Sequence, residues 1–283
     1  MTVSPLVSTE WLRDRSADPS LLIIDIRSTE SGGQEAFKAG HIPGAIHSDY
    51  AADGWRIAEG GAGGLLPDAG HLSALLSRIG VAPEHQVVIV SAGETASDFS
   101  AAARVYWTLK AVGHRQVSIL DGGFRAWREA GGTEDTGVSA PTPRPLYPVQ
   151  LAGNLRAEID TVEKAVAHDN ATLLDGRSQV QFDGREKSPQ VARAGHLPGA
   201  VHLDQSRAIQ PGTGRLRPVT ELEPLFERIP PGPVVSYCNT GHLASTNWFI
   251  LSEVLKRPDV MLYDGSMSEW TQDPHRPVAT NAS

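Results

Sequence analysis

Cys238 is the only cysteine in the chain, and its position in the sequence suggests covalent chemistry. It directly follows the apolar run Val234 to Tyr237 and precedes the segment Asn239-Thr240-Gly241-His242-Leu243, after which a helix is predicted to begin at Ala244. Because Gly241 can adopt a positive φ, so short a loop can turn successive backbone N–H groups toward one point and form an anion-binding nest. A thiol at the centre of such a nest is expected to be a thiolate, which is the nucleophilic form of cysteine.

A second interpretation of Cys238 is that of an inert, small hydrophobic residue after a buried strand. The first half of the chain contains a related segment, and counting from its strand places Ala92 at the corresponding position. Sulfur is therefore not needed there for packing, which favours a chemical role for Cys238. A single cysteine also excludes an intramolecular disulfide and a multi-cysteine metal site.

The same landmarks occur twice in the same order, which indicates a duplicated domain. The first set is LLIIDIRS, AGHIPGAIHSD, QVVIVSAGE and SILDGGFRAW, and the second is TLLDGRS, AGHLPGAVHLD, PVVSYCNTG and MLYDGSMSEW. We predict domains at residues 1–135 and 153–283, joined by a proline-rich linker at 136–152. In both copies short β-branched runs alternate with amphipathic stretches, which predicts an α/β fold with a mostly parallel sheet flanked by helices.

Composition limits the possible partners. The chain has 283 residues, 40% of them hydrophobic, and a net charge of −8, which disfavours nucleic acid and anionic membranes. No apolar run is long enough to span a bilayer, and the N-terminus lacks the pattern of a signal peptide, so we expect a cytoplasmic protein.

The two sets of motifs resemble the tandem-domain rhodanese family, which contains thiosulfate and 3-mercaptopyruvate sulfurtransferases. The resemblance covers both copies through GHIPGA and GHLPGA, DGGFRAW and DGSMSEW, and the YCNTGHLAS loop. It implies an inactive N-terminal domain and an active C-terminal domain that transfers the sulfane sulfur of thiosulfate through a Cys238 persulfide. The implied partners are a small anionic sulfur donor and, as acceptor, cyanide or a thiol such as a thioredoxin-like protein. No metal or organic cofactor is required.

Three alternatives to this function can be weighed from the sequence. A phosphatase of the same fold needs an arginine at the end of the loop to hold phosphoryl oxygens, and residues 239–245 contain none. A non-catalytic sulfur-relay or anion-binding module stays open. A 3-mercaptopyruvate sulfurtransferase also stays open, although the resemblance places Gln181 and Gln190 where such enzymes carry two arginines.

Other candidate site residues have both a functional and a structural interpretation. Thr240, His242, Leu243 and Ser245, with the rest of the loop, are candidates for donor binding, although His242 is equally a solvent-facing residue and Ser245 equally a helix cap. Arg185 and Lys187 could hold an anionic donor or be a solvated run of charge. Asp175 and Arg177 are expected to form an ion pair at a strand end, and the resemblance implies that Asp175 also supports the loop. The histidines of the repeated motif, His41 and His196, are expected to be mainly structural, in a turn fixed by Pro43 or Pro198. The resemblance also implies a supporting role for His41.

Overall fold

The computed structural model of the chain describes residues 3–281, which form two compact units. The first unit comprises residues up to 55, 67–152 and 209–216, and the second comprises 56–66, 153–208 and the residues from 217 onward. In chain order the strands are β1 (Leu6–Val7), β2 (Leu21–Asp25), β3 (Ile46–His47), β4 (Ile57–Glu59), β5 (Ala62–Leu65), β6 (Gln86–Val90), β7 (Val117–Leu120), β8 (Thr172–Asp175), β9 (Val201–His202), β10 (Val234–Tyr237) and β11 (Val260–Leu262).

The helices are α1 (Thr9–Arg13), α2 (Gly33–Ala39), α3 (Ala69–Arg78), α4 (Ala96–Ala111), α5 (Gly123–Glu129), α6 (Ile159–His168), α7 (Gln179–Phe182), α8 (Val219–Phe226), α9 (Ala244–Phe249) and α10 (Ser266–Trp270). A π-helical turn at Ile250–Val254 continues α9, and 3-10 turns lie at Thr29–Ser31 and Gln205–Ala208. Among these described helices none is long and apolar enough to cross a membrane.

The first unit is built on a parallel sheet in the order β1-β7-β6-β2-β3. Its central strands are continuous β-branched and leucine runs, as expected for strands covered on both faces. One side of the sheet packs a core that includes Ile23, Val88, Phe37 and Trp127. Trp127 is buried in this core, and its indole N–H donates to the carbonyl of Thr133.

The second unit repeats this architecture with a parallel sheet in the order β11-β10-β8-β9. Its core includes Leu173, Val235, Met267 and Trp270, and the buried Trp270 donates to the carbonyl of Pro277. Since β10 is a central strand, the residue that follows it is held at the carboxyl edge of the sheet, where ligands bind in open α/β sheets. The predicted fold class is therefore confirmed.

Strand register corrects one detail of the sequence comparison between the two copies. Asp25 pairs with Val90, and Asp175 pairs with Tyr237. The residue that follows Val90 is Ser91, so Ser91 rather than Ala92 corresponds to Cys238. The count from the sequence was wrong by one position, because the residue that directly follows the paired strand end is Ser91. The cysteine position is still free of sulfur in the first unit.

Each unit contains a segment from the other half of the sequence, held by the aspartate of the Asp-Gly motif. In the first unit the N–H of Leu216 donates to Asp121 at 2.9 Å. In the second unit the N–H of Leu66 donates to Asp264 at 2.6 Å. The repeated motif therefore binds these two segments in the same way in both units.

The proline-rich segment 136–152 groups with the first unit and lies against its helices. Backbone N–H groups of Gln150 and Ala152 donate to the carbonyls of Val112 and Ala111 at the end of α4. The hydroxyl of Tyr147 lies 2.7 Å from His114 Nδ1, and both side chains are buried.

Burial lowers the pKa of His114 from its ordinary value of 6.5, although hydrogen bonds to backbone carbonyls oppose that shift. As the pH falls below 6.5, the unfolded chain gains a proton that the folded chain does not, so stability decreases with acidification. We expect the free energy of unfolding of the first unit to fall by up to about 1.4 kcal/mol per pH unit from this group. Urea unfolding at several pH values between neutral and mildly acidic will measure the slope. His114→Gln should reduce the slope, and an unchanged slope in that variant would contradict the assignment.

Candidate active site

Cys238 lies at the carboxyl end of β10 and is 1% exposed. Below it, at the end of the neighbouring strand β8, Arg177 Nε and Nη2 donate to both carboxylate oxygens of Asp175 at 2.6–3.1 Å. Arg177 Nη2 also donates to the carbonyl of Gly195 at 2.7 Å. The expected strand-end ion pair is thus formed and fully buried.

This ion pair gives the cysteine a positively charged neighbour. Burial would lower the pKa of the Arg177 guanidinium, but the Asp175 carboxylate raises that pKa above its ordinary value, and Cys238 contributes in the same direction. The guanidinium and the thiol are therefore within electrostatic reach of each other. In the first unit Asp25 and Arg27 form the same pair, with Arg27 Nη2 2.7 Å from Asp25. Since the pair occurs where no cysteine is present, its main role is structural.

The loop after Cys238 is fixed to the start of α10 by two kinds of hydrogen bond. Its carbonyls accept from the helix: Met267 N–H donates to Cys238 O at 3.1 Å, and Ser268 N–H donates to Asn239 O at 2.9 Å. Two of its N–H groups, those of Cys238 and Gly241, donate to Ser266 Oγ, each at 3.0 Å. Gly241 has φ +69°, as predicted. Ser266, which aligns with Gly123 of the first copy, was not predicted from the sequence as a site residue.

Side chains of the loop make local contacts. The hydroxyl of Ser245 donates to Gly241 O at 2.7 Å, so its proton is used within the loop rather than directed at a donor. Asn239 Nδ2 donates to Gln181 Oε1 at 2.9 Å. Gln181 therefore sits beside the first residue of the loop with a neutral amide. Thr240 is buried, and His242 and Leu243 are half-buried.

The hairpin formed by β4 and β5 covers part of this loop within the second unit. Ser268 Oγ lies within hydrogen-bond distance of both the N–H and the carbonyl oxygen of Gly63. Gly64 has φ +82°, and a Cβ atom placed on it would overlap the carbonyl oxygen of Thr240. Glycine is required there because the hairpin backbone touches the backbone of the loop.

Two predicted donor-binding residues have other partners. Arg185 is exposed and donates to Asp183 at 2.5 Å, and Lys187 donates to the carbonyl of Val191 at 2.9 Å. Within residues 3–281 neither forms a hydrogen bond or an ion pair with the loop. Both cations bond to residues of their own segment. These contacts fit the interpretation of Arg185 and Lys187 as a solvated run of charge rather than as donor-binding residues.

His41 has a structural environment. Its Nδ1 lies 2.9 Å from Phe37 O, and its ring stacks on Phe37 with centroids 3.9 Å apart. His196 in the second unit makes the same two contacts with Phe182, at 2.7 Å and 3.8 Å. Because both copies use this histidine identically, a separate supporting role for His41 in the reaction finds no basis in its contacts.

The first unit closes the corresponding loop with its own carboxylate. Asp98 Oδ2 accepts from the N–H groups of Glu94 and Thr95 at 3.0 and 2.8 Å, and Asp98 N–H donates to Thr95 Oγ1 in a capping box. In the second unit no side chain among the described residues caps α9. The loop of the second unit thus lacks the internal anion that the first unit has. Nor do residues 3–281 contain a group of three His, Cys, Asp or Glu side chains able to hold a metal.

Comparison with known proteins identifies the class to which this fold and loop belong. Residues 8–130 and 158–273 both match the rhodanese-like domain, so the chain belongs to the rhodanese family with two copies of the domain. The resemblance noted from the sequence motifs is confirmed.

The relatives narrow the class to sulfur-transferring enzymes. A probable 3-mercaptopyruvate sulfurtransferase of Pseudomonas aeruginosa is 34% identical over 99% of both chains. A thiosulfate sulfurtransferase of Corynebacterium glutamicum is 30% identical over 97% of this chain and 90% of its own. The crystal structure of SseA from Escherichia coli, described as a 3-mercaptopyruvate sulfotransferase, superposes with a TM-score of 0.78 and 25% identity over 93% of this chain and 99% of its own. The chain is a sulfurtransferase of this family.

We expect Gly64→Ala to disturb the loop after Cys238, since the new Cβ can be accommodated only if the backbone at Thr240 moves. Gly60→Ala is a matched control, because Gly60 lies in the same hairpin with φ +58° and has open space around its Cβ direction. Steady-state sulfur transfer should fall about tenfold or more in Gly64→Ala, equivalent to about 1.4 kcal/mol, and stay near wild type in Gly60→Ala. Equal activities in the two variants would show that the hairpin contact does not affect the loop.

Proposed function

We propose that this enzyme transfers the sulfane sulfur of thiosulfate to a thiophilic acceptor through a persulfide on Cys238. The Cys238 thiolate attacks the outer sulfur of thiosulfate; a new S–S bond forms, the S–S bond of thiosulfate breaks, and sulfite leaves with the electron pair. An acceptor thiolate or cyanide then attacks the outer sulfur of the persulfide. A thiol acceptor becomes a persulfide and cyanide becomes thiocyanate. The S–S bond to Cys238 breaks, and the Cys238 thiolate is regenerated.

The observation that carries this proposal is the difference between the two loops. In the first unit the Asp98 carboxylate occupies two N–H groups of the loop, and serine stands at the cysteine position. In the second unit a cysteine is present and no side chain of residues 3–281 caps α9, while the N–H groups of Cys238 and Gly241 donate to Ser266. We propose that the N–H groups of Asn239, Thr240 and Leu243 stabilise the sulfur anion. Main-chain N–H groups arranged around one point bind anions.

The first domain is proposed to be catalytically inactive, because it has no thiol and its loop is closed by Asp98. The first half of the sequence would then contribute to activity through the hairpin β4–β5, which belongs to the second unit. Residues 153–283 hold the thiol, and the residues that position it lie in the same unit.

A second candidate donor is 3-mercaptopyruvate, since the relative from Pseudomonas aeruginosa is named for that substrate. The site offers little to hold a carboxylate next to the thiol: Gln181, at one of the two positions where the sequence resemblance places arginines, is a neutral amide bonded to Asn239. Arg185 and Lys187 are bonded within their own segment. Thiosulfate is the donor that this arrangement favours.

Intact mass after exposure to each donor tests the proposal. Thiosulfate should add about 32 Da, one sulfur atom, to the wild-type chain and nothing to Cys238→Ser, because covalent transfer needs the thiolate. Parallel kinetics with both donors and with cyanide and thiol acceptors should show higher kcat/KM for thiosulfate. A higher kcat/KM for 3-mercaptopyruvate would make that compound the proposed donor in place of thiosulfate, and the persulfide mechanism would be unchanged. Absence of the mass gain with both donors, or turnover retained by Cys238→Ser, would refute the mechanism.

Replacing Gln181 by arginine should shift donor preference toward 3-mercaptopyruvate. A guanidinium beside Asn239 would supply the carboxylate contact that the neutral amide lacks. We expect the ratio of kcat/KM for 3-mercaptopyruvate to that for thiosulfate to rise about tenfold, equivalent to about 1.4 kcal/mol. Gln179→Arg adds the same charge to the exposed face of the same short helix and should leave the ratio unchanged. An equal rise in both variants would indicate a general effect of charge instead.

A further inference from the structure

Ser266 has an unusual backbone conformation for a buried side chain. It adopts φ +50°, in the left-handed region, and is fully buried. The other described non-glycine residues with positive φ are Asp169, Lys256 and Asp259, and all three are exposed. The first copy has Gly123 at the same place with φ +57°. Since glycine adopts this conformation without steric cost, the serine side chain calls for an explanation.

The hydroxyl of Ser266 uses its full hydrogen-bonding capacity. Its proton is donated to Tyr263 O at 2.7 Å, and its oxygen accepts from the N–H groups of Cys238 and Gly241 at 3.0 Å each. A hydroxyl has one proton and two lone pairs, so all three are engaged. Ser266 therefore has no proton to offer a sulfur atom, and it acts on the loop backbone.

Comparison of the two units separates this contact from the general architecture of the fold. The bonds from helix N–H groups to loop carbonyls occur in both: Phe124 and Arg125 donate to Ser91 and Ala92 in the first unit, as Met267 and Ser268 donate to Cys238 and Asn239 in the second. The hydroxyl contact occurs only in the unit that has the cysteine. In the first unit a Cβ on Gly123 would overlap the carbonyl oxygen of Ser91, so serine could not be placed there without moving the loop.

We propose that Ser266 is a positioning residue that sets the curvature of the catalytic loop and thereby the acidity of the Cys238 thiol. By accepting from the first and fourth N–H groups of the loop, its oxygen ties the two ends of one turn to a single point. The intervening N–H groups of Asn239 and Thr240 are then held toward the sulfur. This inference deepens the proposed function and rests on it for the direction in which those groups face.

Two substitutions at this position separate positioning from stability. Ser266→Gly removes the hydroxyl and also relieves the left-handed strain, and the first copy shows that the fold accepts glycine there. Ser266→Ala removes the hydroxyl but retains a Cβ atom in the strained conformation. We expect Ser266→Gly to be the more stable of the two variants in thermal unfolding. Both should nevertheless lose loop curvature to the same extent.

The thiol itself supplies the readout. Because Cys238 is the only cysteine, the pH dependence of its alkylation by iodoacetamide reports one thiol. Both variants should raise the apparent thiol pKa by about one unit and lower kcat/KM at neutral pH about tenfold, with the pH profile of kcat/KM moving by the same amount. Ser236→Ala removes another buried hydroxyl, one that donates to Ala244 O, and should leave the thiol profile unchanged.

The outcomes distinguish this inference from the proposed function. A thiol pKa that stays fixed or falls in both variants, or activity that follows thermal stability between Gly and Ala, would overturn the role of Ser266. An equal shift in Ser236→Ala would do the same. If the wild-type chain forms no persulfide while both Ser266 variants raise the thiol pKa, the positioning role stands and the proposed transfer reaction falls.

Discussion

The need to satisfy buried backbone N–H groups after the central strand governs both halves of this molecule. A parallel strand that ends in the interior leaves a loop whose N–H groups lie away from water, and each must have a partner. The two copies meet this requirement differently. In the first unit the Asp98 carboxylate accepts from two N–H groups of the loop. In the second unit the Ser266 hydroxyl accepts from the N–H groups of Cys238 and Gly241, and the rest of the turn lies next to the cysteine. The first arrangement binds the loop to a carboxylate of its own helix, and the second is the one in which we propose that a sulfur anion is bound.

A feature that both units share is best explained by a structural role, because one of the two units has no cysteine. The ion pairs Asp25–Arg27 and Asp175–Arg177 have nearly the same geometry, and each guanidinium also reaches a carbonyl of the glycine before the repeated histidine. A charged pair buried at this depth persists because it is fully hydrogen-bonded. What differs between the copies is therefore more informative about chemistry: Ser91 against Cys238, Gly123 against Ser266, and the capping carboxylate present in only one of them.

The sequence was sufficient for the architecture and for the cysteine, but not for the residues that support it. Repeated motifs and β-branched runs predicted two α/β domains, and the residue after a central strand had to lie at the ligand-binding edge. The position equivalent to Cys238 was misjudged by one residue, and only the pairing of Asp25 with Val90 and of Asp175 with Tyr237 identifies it as Ser91. The role of segment 56–66 could not be predicted, since pairing across the repeat boundary leaves no periodic signal in one sequence. The Ser266 contact had a readable signal, the replacement of glycine by serine within an otherwise repeated Asp-Gly motif.

The glycine-rich hairpin illustrates how an element without reactive side chains can still shape the site. Segment 61–64 contains glycine at three of four positions, and its backbone touches both Thr240 and Ser268. A side chain at Gly64 would displace the loop, so the absence of one allows backbone to pack on backbone. This close packing removes water from one side of the turn, and the electrostatic interactions of an anion with N–H groups are stronger where water is excluded. The hairpin and Ser266 therefore contact the same turn, and together they support the proposal that a sulfur anion is stabilised there without a side-chain cation in direct contact.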